Sequence, residues 1–213
     1  MNEQVHNSNR KRKIRALLAG GLVLGVGAAI TLAAWTDNVF GNSDFATGDE
    51  AWNIQASFST TATANWVEAD VSPGEPFGFP VARLNLTPGE TVYAPIALRL
   101  QNAQTLNADV TLNGAVPGTP AGSAALTSAL TYSVTSGGTA EGCAAGTPGG
   151  TSVVAPGSAL TTGSAPNAIT LLAAGTPVQL CYAVTLPAGS PLDLAGLNTG
   201  QLIWQFVGTS VTP

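Results

Sequence analysis

Apolar and polar residues alternate with a period of two along most of this chain. Six segments carry the pattern: residues 51–58, 91–100, 106–112, 130–135, 178–186 and 201–207. Such alternation places the apolar side chains on one face of a β-strand, so each segment is predicted to be a strand. The last segment is apolar on both faces, which predicts a central or doubly covered strand.

Breaks rich in proline and glycine separate these segments. They lie at Pro73-Gly74, Pro88-Gly89, Pro117-Gly118, Gly137-Gly138, Pro148-Gly149 and Pro156-Gly157. Proline presets one turn dihedral and glycine accepts a positive φ, so these breaks predict turns. Helical periodicity is weak apart from a possible turn at residues 124–130. The pattern therefore predicts an all-β fold, an antiparallel β-sandwich of jelly-roll type.

Two details refine the predicted sandwich. Pro95 lies within the strand at residues 91–100, and because proline cannot donate to a ladder, that strand is expected at a sheet edge, at least locally. Residues 115–129 and 137–167 are rich in Gly, Ala, Ser, Thr and Pro but poor in large side chains. We expect both to be long surface loops.

The N-terminus has the pattern of a targeting segment. Five basic residues between Arg10 and Arg15 precede an uncharged run from Ala16 to Thr36. Small residues before Ala34 predict signal cleavage between Ala33 and Ala34, after a signal helix; a retained membrane anchor is the alternative. The predicted organisation is a signal peptide (1–33), an extended N-terminal segment (34–48) and a β-sandwich domain (49–213).

Removal of the leader changes the charge. The chain carries a net charge of −5 at pH 7, but residues 34–213 contain two arginines, eleven acidic residues and neither His nor Lys, which gives −9. This acidity excludes nucleic acid as a partner and limits membrane contact to the leader before cleavage.

The same composition argues against an enzyme. The single histidine, His6, lies in the leader, so His-rich zinc sites and Ser-His-Asp triads have no basis in residues 34–213. No spacing selects a pair of glycosidase carboxylates. We expect no cofactor. Calcium at the acidic cluster of Asp44, Asp49 and Glu50 is a hypothesis, since Ca²⁺ prefers closely spaced carboxylates.

Cys143 and Cys181 are the only cysteines, and both lie beyond the leader. An even pair in an exported chain predicts a disulfide. By alternation Cys181 lies on the outer face of its strand, opposite Leu180 and Tyr182, so the bond should attach segment 137–167 to the sheet. A catalytic thiol would need a base, and none is evident.

Large apolar groups also occur where an exported chain would begin, at Trp35, Val39, Phe40 and Phe45. Chain ends are usually polar and frayed, so these side chains are expected to be buried. They could form the first strand of the protein's own sandwich. Alternatively, they could contact a neighbouring subunit as a donated strand, with core residues such as Val92, Ile96 and Leu98 as acceptors.

A family resemblance favours the second option. Trp35-Thr36-Asp37 and Phe45-Ala46-Thr47-Gly48, with the Pro-Gly turn and strand at residues 85–100, resemble the signal-peptide junction and a strand of the TasA/camelysin family. The resemblance implies secretion, processing by signal peptidase, and assembly of copies of the chain into a biofilm-matrix or cell-surface fibre. Camelysin-like members have been classed as metallopeptidases. The lack of histidine in residues 34–213 argues against that activity for this chain. The alternative is a monomeric surface binding module or adhesin that displays loops 115–167.

Overall fold

The computed structural model describes residues 10–18, 52–60, 64–101, 105–173 and 176–213. The chain divides into two units, residues 1–46 and 47–213, which are considered separately. In the first unit residues 10–18 are helical and exposed, and the rest of the predicted leader lies outside the described residues. Within the described part of the chain, no helix has the length and apolar character needed to cross a membrane.

The second unit is mostly β, as the alternation predicts. Its described strands are β1 (Ile54–Ser57), β2 (Thr91–Leu100), β3 (Asn107–Leu112), β4 (Val116–Ala121), β5 (Thr131–Ser136), β6 (Thr151–Ala159), β7 (Ile169–Leu171), β8 (Val178–Thr185), β9 (Gly200–Ile203) and β10 (Phe206–Val211). Short α-helices occur at Ala124–Ala129 and Ala140–Ala144, and 3₁₀ turns at Val81–Leu84 and Leu192–Leu194.

The strands form three antiparallel sheets. The first has the order β1-β2-β8-β5-β6, the second β10-β3-β7, and the third pairs β4 with β9. The first two sheets contribute to one apolar cluster, since Ile96 of β2 and Val110 of β3 are both fully buried in it. The alternating residues of β2, β3 and β8 supply much of this core. The prediction of a mostly β chain with antiparallel sheets is therefore confirmed.

Pro95 lies at a local edge of the first sheet, as expected. Leu186 N donates to Glu90 O, so alternate residues of β2 bond to β8, and Pro95 directs its nitrogen away from β8. On that side β1 pairs with β2 only as far as Ser57 opposite Ala97. The β1 pairing therefore ends before it would need an N–H from Pro95.

The expectation of long loops at residues 115–129 and 137–167 is wrong. The first segment contains β4 and the Ala124–Ala129 helix, and the second contains the Ala140–Ala144 helix and β6. The helix starts use side-chain caps: Ser123 accepts from Leu126 N, and Thr139 accepts from Gly142 N. The strands β4 and β6 pair with β9 and β5 but have no run of alternating buried residues, so alternation does not reveal them.

The prediction of one central strand at residues 201–207 is also wrong. The segment is divided between β9, which pairs with β4, and β10, which pairs with β3 at the edge of the second sheet. Trp204 and Phe206 pack against the core, whereas Val207 on the other face is 43% exposed. The apolar residues on two faces therefore reflect a change of sheet rather than cover on both sides.

Candidate functional site

The residues predicted to make subunit contacts lie outside the described residues. This holds for Trp35, Val39, Phe40 and Phe45, and for the cleavage pair Ala33 and Ala34. The acidic cluster of the calcium hypothesis, Asp44, Asp49 and Glu50, also lies there. The described residues do include the disulfide and the sheet edges that could receive a strand.

Cys143 and Cys181 form the predicted disulfide, with 5.5 Å between their Cα atoms. Cys181 lies on the face of β8 opposite Leu180 and Tyr182, as the alternation predicts. That face is covered, because the Ala140–Ala144 helix packs on it and leaves Cys181 only 4% exposed. After the helix, Gly146 has a φ of +77° and lies so close to Tyr93 that a Cβ would be 3.2 Å from the ring. The bond thus holds a short helix flat against the sheet.

The suggested core acceptors are occupied. Val92, Ile96 and Leu98 are at most 4% exposed and belong to the domain's own apolar cluster. An incoming strand would therefore have to add at the edge of a sheet, where backbone groups lack partners. This moves the candidate site from the core to the strand edges.

Among the described edges, β10 is the most regular. It pairs with β3 over six residues without a register shift. By contrast, β6 has shifted register and contains Pro156, β7 has three residues, and β4 contains Pro117 and Pro120. Proline and bulges are the usual means of blocking an edge, and β10 lacks both.

The ladder identifies the free backbone groups of β10. Asn113 N donates to Gln205 O, and hydrogen-bonded pairs alternate along antiparallel strands. By this register, Val207, Thr209 and Val211 bond to β3. The N–H and C=O groups of the intervening residues point away from the sheet: Phe206, Gly208 and Ser210. No described strand pairs with this side of β10.

The beginning of the domain packs on one face of β10, the face that Gly208 shares with Phe206. The side chain of Ile54 fills the space that a Cβ on Gly208 would need, and Trp52 lies 3.4 Å from the same position. The indole Nε1 of Trp52 is buried and has no hydrogen-bond partner.

An aromatic cluster lies in the core and includes Trp204, just before β10. Phe77 packs against Tyr182 and Trp204, with ring centroids 5.0 and 5.4 Å away, and Tyr132 lies 6.2 Å from Tyr182. Burial raises the pKa of Tyr132, whose hydroxyl donates to Thr162 O. The pKa of Tyr182 is raised well above its usual value, mainly by burial and to a lesser extent by the negative charge that Tyr132 carries when ionised.

Both arginines beyond the leader contact their own chain. Arg99 donates to Gln55 Oε1 and lies 4.3 Å from the centre of the Trp66 ring. Arg83 donates to the carbonyl groups of Phe79 and Pro80. These acceptors are neutral, so it is the excess of eleven acidic residues over two arginines in residues 34–213 that makes the charge presented to partners negative.

The described residues contain no group of three or more His, Cys, Asp or Glu side chains arranged to hold a metal ion. No known protein-family model and no curated protein matches this chain at a significant level.

Sequence reasoning missed the β10 edge, because alternation predicts a strand but does not reveal which of its sides is paired.

Proposed function

We propose that this protein is an exported structural subunit of a cell-surface or biofilm-matrix filament, related to the TasA/camelysin family. In this proposal the leader is removed between Ala33 and Ala34, and residues 34–48 of one copy add as a strand to the next copy. The first two sheets pack as a β-sandwich, for which the jelly roll remains the proposed topology. The partners are copies of the same chain and, during export, signal peptidase.

The observation that carries the proposal is the β10 edge. Three of its residues direct backbone donors and acceptors outward, which is what strand addition requires. The N-terminal segment supplies the complementary part, because Trp35, Val39 and Phe40 are large and apolar. The edge of one copy and the tail of another are different surfaces, so each added copy leaves a new edge free. Such head-to-tail contacts produce a filament when they do not close into a ring.

The decisive experiment compares residues 34–213 with a version that begins at Gly48. Size-exclusion chromatography and negative-stain electron microscopy should detect polymers of the longer version only. In the longer version, Trp35→Ser with Phe40→Ser should abolish polymers. The matched control, Asn38→Ser with Asn42→Ser, keeps the length and the apolar groups and should assemble normally.

A second pair of variants tests the acceptor edge. Ser210→Pro removes an N–H that β3 does not use, so the variant should stay folded but fail to accept a strand. Thr209→Pro removes an N–H that bonds to β3 and should reduce stability instead. Normal polymers of Ser210→Pro would exclude β10 as the acceptor.

The competing function is a monomeric binding module or adhesin. If both the longer and the shorter versions remain monomeric and equally stable, the tail does not drive assembly. Residues 115–167 would then be the surface to test for ligands, now as strands and helices rather than long loops.

A further inference from the structure

An open cleft of about 380 Å³ lies beside the end of β1. Ala56 and Val67 exchange two backbone hydrogen bonds, which place residues 64–67 along the outer side of β1. The Ser57 hydroxyl donates to Ala64 O and fixes the start of this segment. Phe58, at the end of β1, forms part of the cleft wall. The volume is within the range of sites that bind small ligands.

The ring of Phe58 is held in place from behind. It stacks on Phe77 with centroids 5.7 Å apart and 25° between the planes, and Phe77 in turn stacks on Trp204 at 5.4 Å. An aromatic face is electron-rich and attracts the weakly positive C–H groups of a sugar ring. Phe58 therefore provides a rigid apolar wall that needs no rearrangement to receive a flat, C–H-bearing ligand.

The remaining wall and rim carry three different polar groups. Thr60 offers a hydroxyl, Asn65 an amide and Glu75 a carboxylate, and all three residues are exposed. Together they provide donors and acceptors, as neighbouring hydroxyl groups of a sugar require. An apolar ring beside mixed polar groups suits a molecule with one C–H face and a polar edge.

The charge around the cleft restricts the sugar. Glu75 lies in it, and the described residues that line it include no basic side chain. Glu68 and Asp70, on the same segment, are exposed as well. Uronic acids would be repelled, whereas neutral sugars would not.

From these contacts we propose that the cleft binds a neutral polysaccharide chain, with Phe58 as the stacking surface and Asn65 as a hydrogen-bonding residue at the rim. Because the cleft is open, a long chain can pass along it rather than enter only by its end. This site does not depend on filament assembly, and a monomer would also bind.

The test is calorimetric titration of the full chain in a detergent without a sugar headgroup. The probes are neutral hexasaccharides of β-1,4-linked glucose and of mannose, and an acidic hexasaccharide of galacturonic acid. We expect heat from at least one neutral probe and none from the acidic one. Asn65→Gly should weaken neutral binding about fivefold, which is the effect of one lost hydrogen bond.

Asn167→Gly is the matched control. Asn65 and Asn167 have φ values of +55° and +56°, so glycine fits both backbones, but Asn167 lies at a different site, where its N–H bonds to Thr111. The Asn167→Gly variant should bind the neutral hexasaccharide as tightly as the unchanged protein. The proposal is overturned if neither neutral probe binds, if the acidic probe binds as tightly, if Asn65→Gly binds normally, or if both variants weaken equally.

Discussion

Removal of the disulfide should cost a large part of the domain's stability. The bond joins residues 38 positions apart, and closing a loop of that length stabilises by about 4 kcal/mol in the chain-entropy model. For a domain of this size that corresponds to roughly 8 to 16 °C in Tm. The double variant Cys143→Ala with Cys181→Ala is the appropriate perturbation, because a single replacement would leave a buried thiol.

The measurement is urea unfolding followed by tryptophan fluorescence, with the oxidised protein as reference. The double variant should show a lower midpoint and a larger m value, since its unfolded chain is less restricted. Reductant should not destabilise the double variant further. A loss below about 1 kcal/mol would refute the reasoning, because the loop entropy would then have no measurable effect.

Three further variants test the interior. Tyr182→Phe should raise stability by about 1 kcal/mol in thermal unfolding, because its buried hydroxyl has no partner, whereas Tyr132→Phe should lower stability by a similar amount through loss of the bond to Thr162. Burial raises the pKa of Tyr182, so the unfolded chain ionises at a lower pH than the folded one. This group therefore leaves the free energy of unfolding unchanged below the ordinary tyrosine pKa of about 10 and lowers it as pH rises from there through the raised value. Tyr182→Phe should therefore flatten the alkaline fall in stability, and an unchanged fall would contradict this. Gly114→Ala should destabilise by about 1–3 kcal/mol, since the new Cβ would overlap the Thr161 carbonyl; an unchanged urea midpoint would refute the overlap.

The sequence predicts the centre of the domain better than its margins. The buried positions of β2, β3 and β8 follow from alternation, because Leu, Ile and Val contrast sharply with their polar neighbours. In β6, Val154 is the only fully buried residue, and Ala, Ser, Gly and Pro around it give no such contrast. Pairing with β5 forms that strand, and pairing is a property of two segments that neither reveals alone.

The candidate assembly site illustrates the same limit. Pro95 could be placed at an edge from sequence, since a missing N–H has only one consequence in a ladder. The free side of β10 could not, because its residues Phe206, Gly208 and Ser210 would serve equally well in a central strand.

The two edges therefore have opposite meanings for assembly. At β2, proline ends the pairing with β1 and makes further strand addition unfavourable. At β10, the register is regular and no described strand uses the outward backbone groups, so strand addition is open; in a monomer such an edge is an aggregation hazard. Proline thus interrupts β2, β4 and β6, and β1, β7 and β9 have four residues or fewer, so β10 is the longest described edge strand that is free of proline and register shifts, as the proposed acceptor requires.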